Sequence, residues 1–393
     1  MNSPIRVAFF TDAFFEPNGV ATLSREYAAF AKRHEYPFLC VHSGNSTQIS
    51  VDGSVRSVAL RRGPLSFPLD QDLYCDPLLS RYLPLLKKVL RDFSPDLIHI
   101  TGPGDMGILG ALVANRMHIP LVASWHTNLH EYAGRRVHKH CAFLPAKSRQ
   151  NLSAFAERSS LTALMRFYRI PRLTMAPNPE LVALLEKRTG KPCFLMQHGV
   201  DLNRFHPTQN NNPQHPFTIG YVGRLTPEKN VRLFASIEAS LLRQGITKFR
   251  LLLVGDGSER AWLTKNLKQA EMPGVLRGDE LAMAYAAMDV FVFPSETDTF
   301  GLVILEAMAT GIPVVVARGG GPQFQIAPGV NGLLATDAED FATQIRKLIE
   351  DPALCHQLGQ AARQHACLNS WDGVFAHIYD SYQRYEAALY PPA

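Results

Sequence analysis

Asp298 and Glu306 flank the apolar run Phe300-Gly301-Leu302-Val303-Ile304-Leu305. The pattern predicts a strand ending at Pro294, a loop carrying Asp298, and a helix opening near Gly301 with Glu306 about a turn and a half in. The first amide groups of a helix have no partner within it and lie at the positive end of its dipole. Phe300, Gly301 and Leu302 can therefore receive phosphate oxygens, while the two carboxylates accept hydrogen bonds from sugar hydroxyls. That chemistry suits a sugar attached to a phosphate; two acids in an ordinary helix cap is the plainer reading. In Gly223-Arg224-Leu225-Thr226-Pro227-Glu228-Lys229-Asn230, a turn centred on Pro227 lets Arg224 and Lys229 converge on one anion. A diphosphate is the natural candidate, because Arg forks onto two oxygens while Lys acts as a point charge; a solvated basic turn is the alternative.

Weaker signals stand at other strand ends. Ser124-Trp125-His126-Thr127-Asn128 puts His126 where its ring can meet a sugar hydroxyl, although a lone histidine is more often structural. Asn18-Gly19 makes a turn before a helix and lets backbone approach a bound group, or is simply a turn. Gly255-Asp256-Gly257 is a second such turn, and Arg318-Gly319-Gly320-Gly321-Pro322 a flexible loop suited to shaping a sugar pocket.

The elements that must position these residues alternate as short apolar runs and helical patterns, the mark of parallel sheets with crossover helices. In the first half, strands are expected at Arg6 to Phe10, Phe38 to His42, Leu97 to Thr101, Leu121 to Trp125, Leu173 to Ala176 and Phe194 to Gln197. Helical spacing marks Leu23 to Lys32, Leu78 to Arg91, Met106 to Met117 and Pro179 to Arg188. Gly199 to Asn212 reads as a linker. A second set follows, with strands at Phe217 to Val222, Phe249 to Val254, Val290 to Pro294, Val314 to Ala317 and Gly332 to Ala335. Its helices are expected near Val231 to Arg243, Glu259 to Lys268, Glu280 to Met288, Leu302 to Thr310 and Ala338 to Glu350. Asp372 to Ala388 reads as a final helix free to pack back across the linker. The fold class is α/β, with doubly wound domains at 1–198 and 199–370 and a crossover helix at 371–393. Ligands of such sheets bind beyond the carboxyl ends of the strands.

Composition narrows the function. The chain has 393 residues and a formal charge of +5, with no Lys/Arg block of the kind that binds nucleic acid. Its six cysteines are scattered without paired spacing, so neither a zinc site nor a disulfide framework is expected. No apolar run reaches membrane-spanning length, and strand one follows Met1-Asn2-Ser3-Pro4 too closely for a signal peptide. A cytoplasmic protein is expected.

In this order, Gly223-Arg224-(x4)-Lys229, Val254-Gly255-Asp256-Gly257, Phe293-Pro294-Ser295 and Phe300-Gly301-Leu302-Val303-Ile304-Leu305-Glu306-Ala307-Met308 resemble the retaining glycosyltransferases of family 4. The resemblance runs from Phe9-Phe10-Thr11-Asp12 to Ser370-Trp371-Asp372. Members acting on lipid or lipid-linked acceptors are the nearest in pattern: phosphatidylinositol mannosyltransferases, glucuronosyl- or mannosyl-diacylglycerol synthases and sulfolipid synthases. It implies the GT-B architecture, two Rossmann-like domains facing across a cleft that closes by hinging at the linker and near Trp371. It also implies a donor such as GDP-mannose or a UDP-hexose and a lipid or glycan acceptor. By resemblance, Arg224 and Lys229 hold the donor diphosphate, Glu306 the ribose and Asp298 the sugar hydroxyls. His126 would touch the donor sugar near its reacting face, and the Gly19 amide a phosphate beside the acceptor. The sugar leaves and is attacked on one face, the departing phosphate taking the acceptor proton, with no protein nucleophile, cofactor or metal.

Two departures stand out. The family has Glu where this chain has Asp298, shorter by one carbon or about 1.5 Å of reach; Glu296 lies near enough to substitute, but Asp298 has the right spacing to Glu306. The family also has a short strand between Lys268 and Gly278 whose backbone reads the nucleotide base. Only Glu271-Met272-Pro273-Gly274-Val275-Leu276 is left for it here, with Val275 and Leu276 the candidates for that contact. Guanine and uracil both stay open.

The segment 130–172 carries Arg135, Arg136, Lys139, Lys147, Arg149, Arg158, Arg166, Arg169 and Arg172 against Glu131 and Glu157. Phe143, Leu144, Phe155, Leu161, Leu164 and Phe167 are interleaved. An anionic membrane surface on the inner face of the cytoplasmic membrane would suit it; solvated helix faces and a core stripe explain the same residues. Rival functions are a nucleotide-sugar hydrolase or epimerase using Asp12, Glu16 or His126 as base, a non-catalytic nucleotide-sugar binder, and a metal-dependent transferase using Asp70-Gln71-Asp72.

Overall fold

The computed structural model describes residues 4–16, 18–70, 73–141, 143, 145–207 and 216–384. Gln71, Asp72, Leu144, the Asn-rich end of the linker and the end of the final helix beyond Arg384 lie outside the described residues. Two units result: the residues up to Gln197 with those from Val374 onward, and His198–Gly373.

In the first unit every residue of the central strand β1 (Val7–Thr11) is buried, as a parallel strand covered on both faces requires. The other strands are β2 (Phe38–Gly44), β3 (Gln48–Asp52), β4 (Val55–Arg61), the hairpin β5 (Phe67–Asp70) and β6 (Leu73–Cys75), β7 (Leu97–Ile100), β8 (Leu121–Ser124), β9 (Leu173–Ala176) and β10 (Cys193–Leu195). The main sheet has the order β10-β9-β8-β7-β1-β2-β4-β3, with β3 antiparallel to β4 and the other pairs parallel. Helices α1 (Gly19–Arg33), α2 (Leu83–Phe93), α3 (Asp105–Met117), α4 (Leu129–His140), α5 (Ala146–Tyr168) and α6 (Pro179–Thr189) belong to the same unit. β3 and β4 are additions to the strands expected from sequence. All of β3 is exposed and Arg56 and Ser57 interrupt β4, so neither shows an apolar run.

The second unit holds β11 (Phe217–Val222), β12 (Phe249–Val254), β13 (Ala270–Gly274), β14 (Val290–Phe293), β15 (Val314–Ala317) and β16 (Leu333–Ala335), all parallel in the order β13-β12-β11-β14-β15-β16. Its helices are α7 (Leu233–Arg243), α8 (Arg260–Asn266), α9 (Gly278–Ala286), α10 (Leu302–Ala309), α11 (Ala338–Glu350) and α12 (Pro352–Cys367). β13 corrects the expectation that the base-reading strand is missing: Ala270 and Glu271 pair with Leu251 and Leu252, and Gly274 with Val254. Its residues alternate between half-buried and exposed, and as an edge strand it tolerates Pro273, so the segment carries no strong strand signal. α12 was also unexpected. Asp351 caps it, accepting the Leu354 N–H at 2.9 Å, and it buries mainly small residues, Gly359, Ala362 and Ala366, around Leu358.

The last helix, α13 (Trp371–Arg384), carries its residues from Val374 onward into the first unit. There the Phe375 ring stacks on Tyr27 of α1 at 4.5 Å, and Tyr379 packs on Phe30 and Tyr36, so the final helix does pack back on the first domain.

Candidate functional site

β11 and β14 are neighbours, so their carboxyl ends bring the Arg224 turn and the Asp298 loop together. Lys229 closes the short 3-10 turn Pro227–Lys229, and its Nζ lies 2.5 Å from Asp298 Oδ1. Ser295 donates its hydroxyl to the other carboxylate oxygen at 2.6 Å. The Arg224 guanidinium is 3.5 Å from Glu228 Oε1, which also accepts from Thr226 Oγ1 at 2.7 Å. Burial works against the Asp298 carboxylate, but the Lys229 charge and hydrogen bond, the Ser295 hydroxyl and the Arg224 charge outweigh it and hold its pKa below the ordinary value. Both cations of the expected clamp are thus oriented by carboxylates, and three of the four residues that carried the sequence argument meet in one place.

The Asp298 loop is fixed from behind. Gly321 donates its N–H to the Asp298 carbonyl at 2.9 Å, and Gln325 donates to the Phe300 carbonyl at 2.5 Å. Gly320 has φ of +63°, and a Cβ there would stand 2.1 Å from the Glu296 carbonyl oxygen, so only glycine lets the two loops approach so closely. The glycine loop, expected to be flexible, is therefore a packed support. Glu296 is exposed, and Asp298 is the acid that meets Lys229.

α10 starts at Leu302, after Gly301 turns the chain with φ of +86°. One turn in, Glu306 accepts the Tyr285 hydroxyl at 2.7 Å. Burial pushes the Glu306 carboxyl up to about 7, against the opposing Tyr285 hydrogen bond and Arg204 charge. Val275 directly follows the edge strand β13 and is well exposed, whereas Leu276 packs partly on the core. Ser295, Tyr285 and Gln325 were missed from sequence. Tyr285 falls in the buried stripe of α9 with Ala282 and Ala286 and reads as core, Ser295 stands in the motif Phe293-Pro294-Ser295 with no role assigned to it, and nothing local marks Gln325.

In the first unit Gly19 opens α1, the Asn18 side chain accepting the Ala21 N–H at 2.9 Å, and the space where a Gly19 Cβ would stand is open. His126 follows β8 and is buried, its Nε2 lying 2.7 Å from Ser124 Oγ. Asp12 is locked to the start of α3, accepting the Met106 N–H at 2.8 Å; burial raises its pKa to about 6. Glu16 is committed to the Phe14 and Phe15 amides and to Arg62.

The family profile for Glycosyltransferase Family 4 matches residues 17–204, and that for Glycosyl transferases group 1 matches residues 203–365. The chain is 30% identical over 382 residues to a GDP-mannose-dependent alpha-mannosyltransferase of Corynebacterium glutamicum, covering 94% of this chain and 85% of that one. It belongs to the family 4 glycosyltransferases. It is also 32% identical to the sulfoquinovosyl transferase SQD2 of Arabidopsis thaliana over 80% of its length, spanning 61% of that protein. Its fold superposes on the sucrose-phosphate synthase of Thermosynechococcus elongatus with a TM-score of 0.73 at 21% identity, over 98% of this chain and all of that one. The fold is that of the GT-B glycosyltransferases.

In this glycosyltransferase the basic segment 130–172 folds as α4 packed on α5. Leu161, Leu164 and Phe167 turn to the core, while Phe143 and Phe155 are 82% and 63% exposed. Arg135 pairs with Glu131. Among the described residues, no helix is long and apolar enough to cross a membrane.

Proposed function

We propose that this glycosyltransferase moves a hexose, mannose from GDP-mannose in the first instance and a UDP-hexose in the second, to a lipid or glycan acceptor, with retention of configuration and without a metal. The single observation that carries the reading is the cluster of Arg224, Lys229 and Asp298 at the ends of β11 and β14, with half-buried Glu306 on the adjoining α10. The donor named for the C. glutamicum relative supports GDP-mannose.

In this proposal residues 199–370 hold the donor and 1–198 the acceptor. Arg224, Lys229 and the amides of Phe300, Gly301 and Leu302 take the diphosphate, Asp298 a sugar hydroxyl and Glu306 the ribose. Val275 and Leu276 lie beside the base, His126 meets a sugar hydroxyl, and the Gly19 amide meets a phosphate on the acceptor side. The bond from anomeric carbon to diphosphate breaks as the acceptor oxygen attacks on the same face, and the leaving phosphate oxygen takes the acceptor proton. The protein's work is to stabilise the developing diphosphate charge and to orient the sugar. Exposed Phe143 and Phe155 among arginines support a lipid acceptor met at the inner face of the cytoplasmic membrane.

The test combines thermal unfolding with turnover. GDP-mannose is expected to raise the unfolding temperature with the logarithm of its concentration. Turnover should survive EDTA, and the product's anomeric proton should show the donor's α configuration by NMR. Inverted product refutes the same-face step, and lost turnover in EDTA refutes metal independence. Release of free hexose at the same rate with or without acceptor favours a hydrolase. Stabilisation by no nucleotide sugar removes the whole reading.

A further inference from the structure

A line of buried hydrogen bonds crosses the first unit from α1 and α13 to His126. The Tyr27 and Tyr382 hydroxyls are 3.1 Å apart, and Tyr382 Oη lies 2.6 Å from His99 Nδ1. His99 Nε2 is 3.0 Å from Ser124 Oγ, which is 2.7 Å from His126 Nε2. Tyr27, Tyr382, His99 and Ser124 are all fully or almost fully enclosed.

Proton counting gives this line a direction. Burial drives the His99 pKa down to about 3, so its imidazole is neutral and carries one N–H. A neutral imidazole nitrogen is a better acceptor than a phenol oxygen, so Tyr382 donates to His99 Nδ1. The His99 proton must then sit on Nε2, where it is donated to Ser124 Oγ. Ser124 has a single hydroxyl proton and directs it to His126 Nε2, in preference to the more distant Ile100 carbonyl at 3.4 Å. The ring proton of His126 is left on Nδ1.

We infer that Tyr382 is a positioning residue: acting through His99 and Ser124, it fixes His126 as the Nδ1–H tautomer and so sets what that ring offers a substrate hydroxyl. The consequence for turnover rests on the proposed contact between His126 and substrate; the tautomer itself does not.

The test reads both. Nitrogen-15 spectra of the histidine rings, with the His126 signals assigned by their loss in His126→Asn, are expected to show Nδ1–H alone in the wild type. Tyr382→Phe and Ser124→Ala should each give a mixture of tautomers. Each should lower kcat roughly two- to tenfold, the value of one neutral hydrogen bond, with donor KM unchanged. Ser124→Thr, which keeps the hydroxyl, should restore both readouts. Ser381→Ala removes a hydroxyl bonded within the same helix, to the His377 carbonyl at 2.8 Å, and should change neither. A His126 ring that stays wholly Nδ1–H in Tyr382→Phe overturns the inference, as does an equal shift in Ser381→Ala, which would mean general loosening. A tautomer shift with wild-type turnover in His126→Asn instead removes the substrate contact assumed for His126.

Discussion

Replacing Lys229 by alanine separates two roles that the structure gives one ammonium group. As part of the diphosphate clamp it supplies a preorganised charge, and losing one such donor costs about 3 to 4 kcal/mol at the transition state, or roughly a hundredfold to a thousandfold in kcat. As the partner of Asp298 it neutralises a carboxylate whose side chain is only 20% exposed, its own being 14% exposed. Removing one member of a buried pair costs about 3 to 5 kcal/mol, and the residual exposure argues for the lower end or slightly less, about 2 to 3 kcal/mol. For a unit of this size that is roughly 4 to 12 °C in unfolding temperature. The effect depends on pH. In the wild type the folded pKa of Asp298 lies below its unfolded value, so its stabilisation is present above the unfolded value and lost as pH falls through the folded one. In Lys229→Ala, burial acts with less opposition and the pKa rises, so the deficit is largest near pH 7 and shrinks toward pH 4. Lys229→Ala/Asp298→Ala should recover most of the stability and none of the activity. Thermal melts at both pH values and donor turnover at saturation measure these outcomes. Near wild-type kcat in the single variant refutes the clamp, and an unfolding temperature unchanged at pH 7 refutes the ion-pair argument.

Glu306 behaves oppositely to Asp298. Its folded pKa of about 7 exceeds the usual 4.5, so the stability it contributes is complete below the unfolded value and lost as pH rises through about 7. Glu306→Gln should therefore melt higher than the wild type at pH 8 and no differently at pH 4, with a higher donor KM; equal melting at pH 8 counts against a desolvated carboxylate that resists ionisation. Tyr285→Phe removes the hydroxyl that opposes this shift, so donor KM, measured from pH 6 to 8, should begin to rise at a higher pH than in the wild type. Gly301→Ala puts a side chain at φ of +86° with its Cβ 3.1 Å from Ile304 Cδ1, and should cost about 1 to 2 kcal/mol in a denaturant melt and raise donor KM. Anionic vesicles should carry the protein upward in a low-salt flotation gradient and release it at high salt, and Phe143→Ser/Phe155→Ser should weaken that binding; absence of flotation at low salt ends the membrane proposal.

Much of the fold was legible because buried parallel strands write themselves as continuous apolar runs: Val7 to Phe10, Leu251 to Val254 and Val290 to Phe293 are each buried along their whole length. The exposed strand β3, the half-exposed edge strand β13 and the small-residue helix α12 carry no such signal, and each was missed. At the site, the type and spacing of Arg224, Lys229, Asp298 and Glu306 marked phosphate and hydroxyl chemistry because such groups cluster at strand ends and helix starts. Sequence alone thus determined the buried strands and the amphipathic helices between them, and which side chains carry charge at their ends. Only the tertiary structure decided who meets whom: Lys229 with Asp298 across 69 positions, Tyr285 with Glu306, and Tyr382 with His99 across 283. Local periodicity is set by neighbours a few residues apart, whereas these pairings depend on which strand lies beside which, and that order is chosen by the packing of the whole unit.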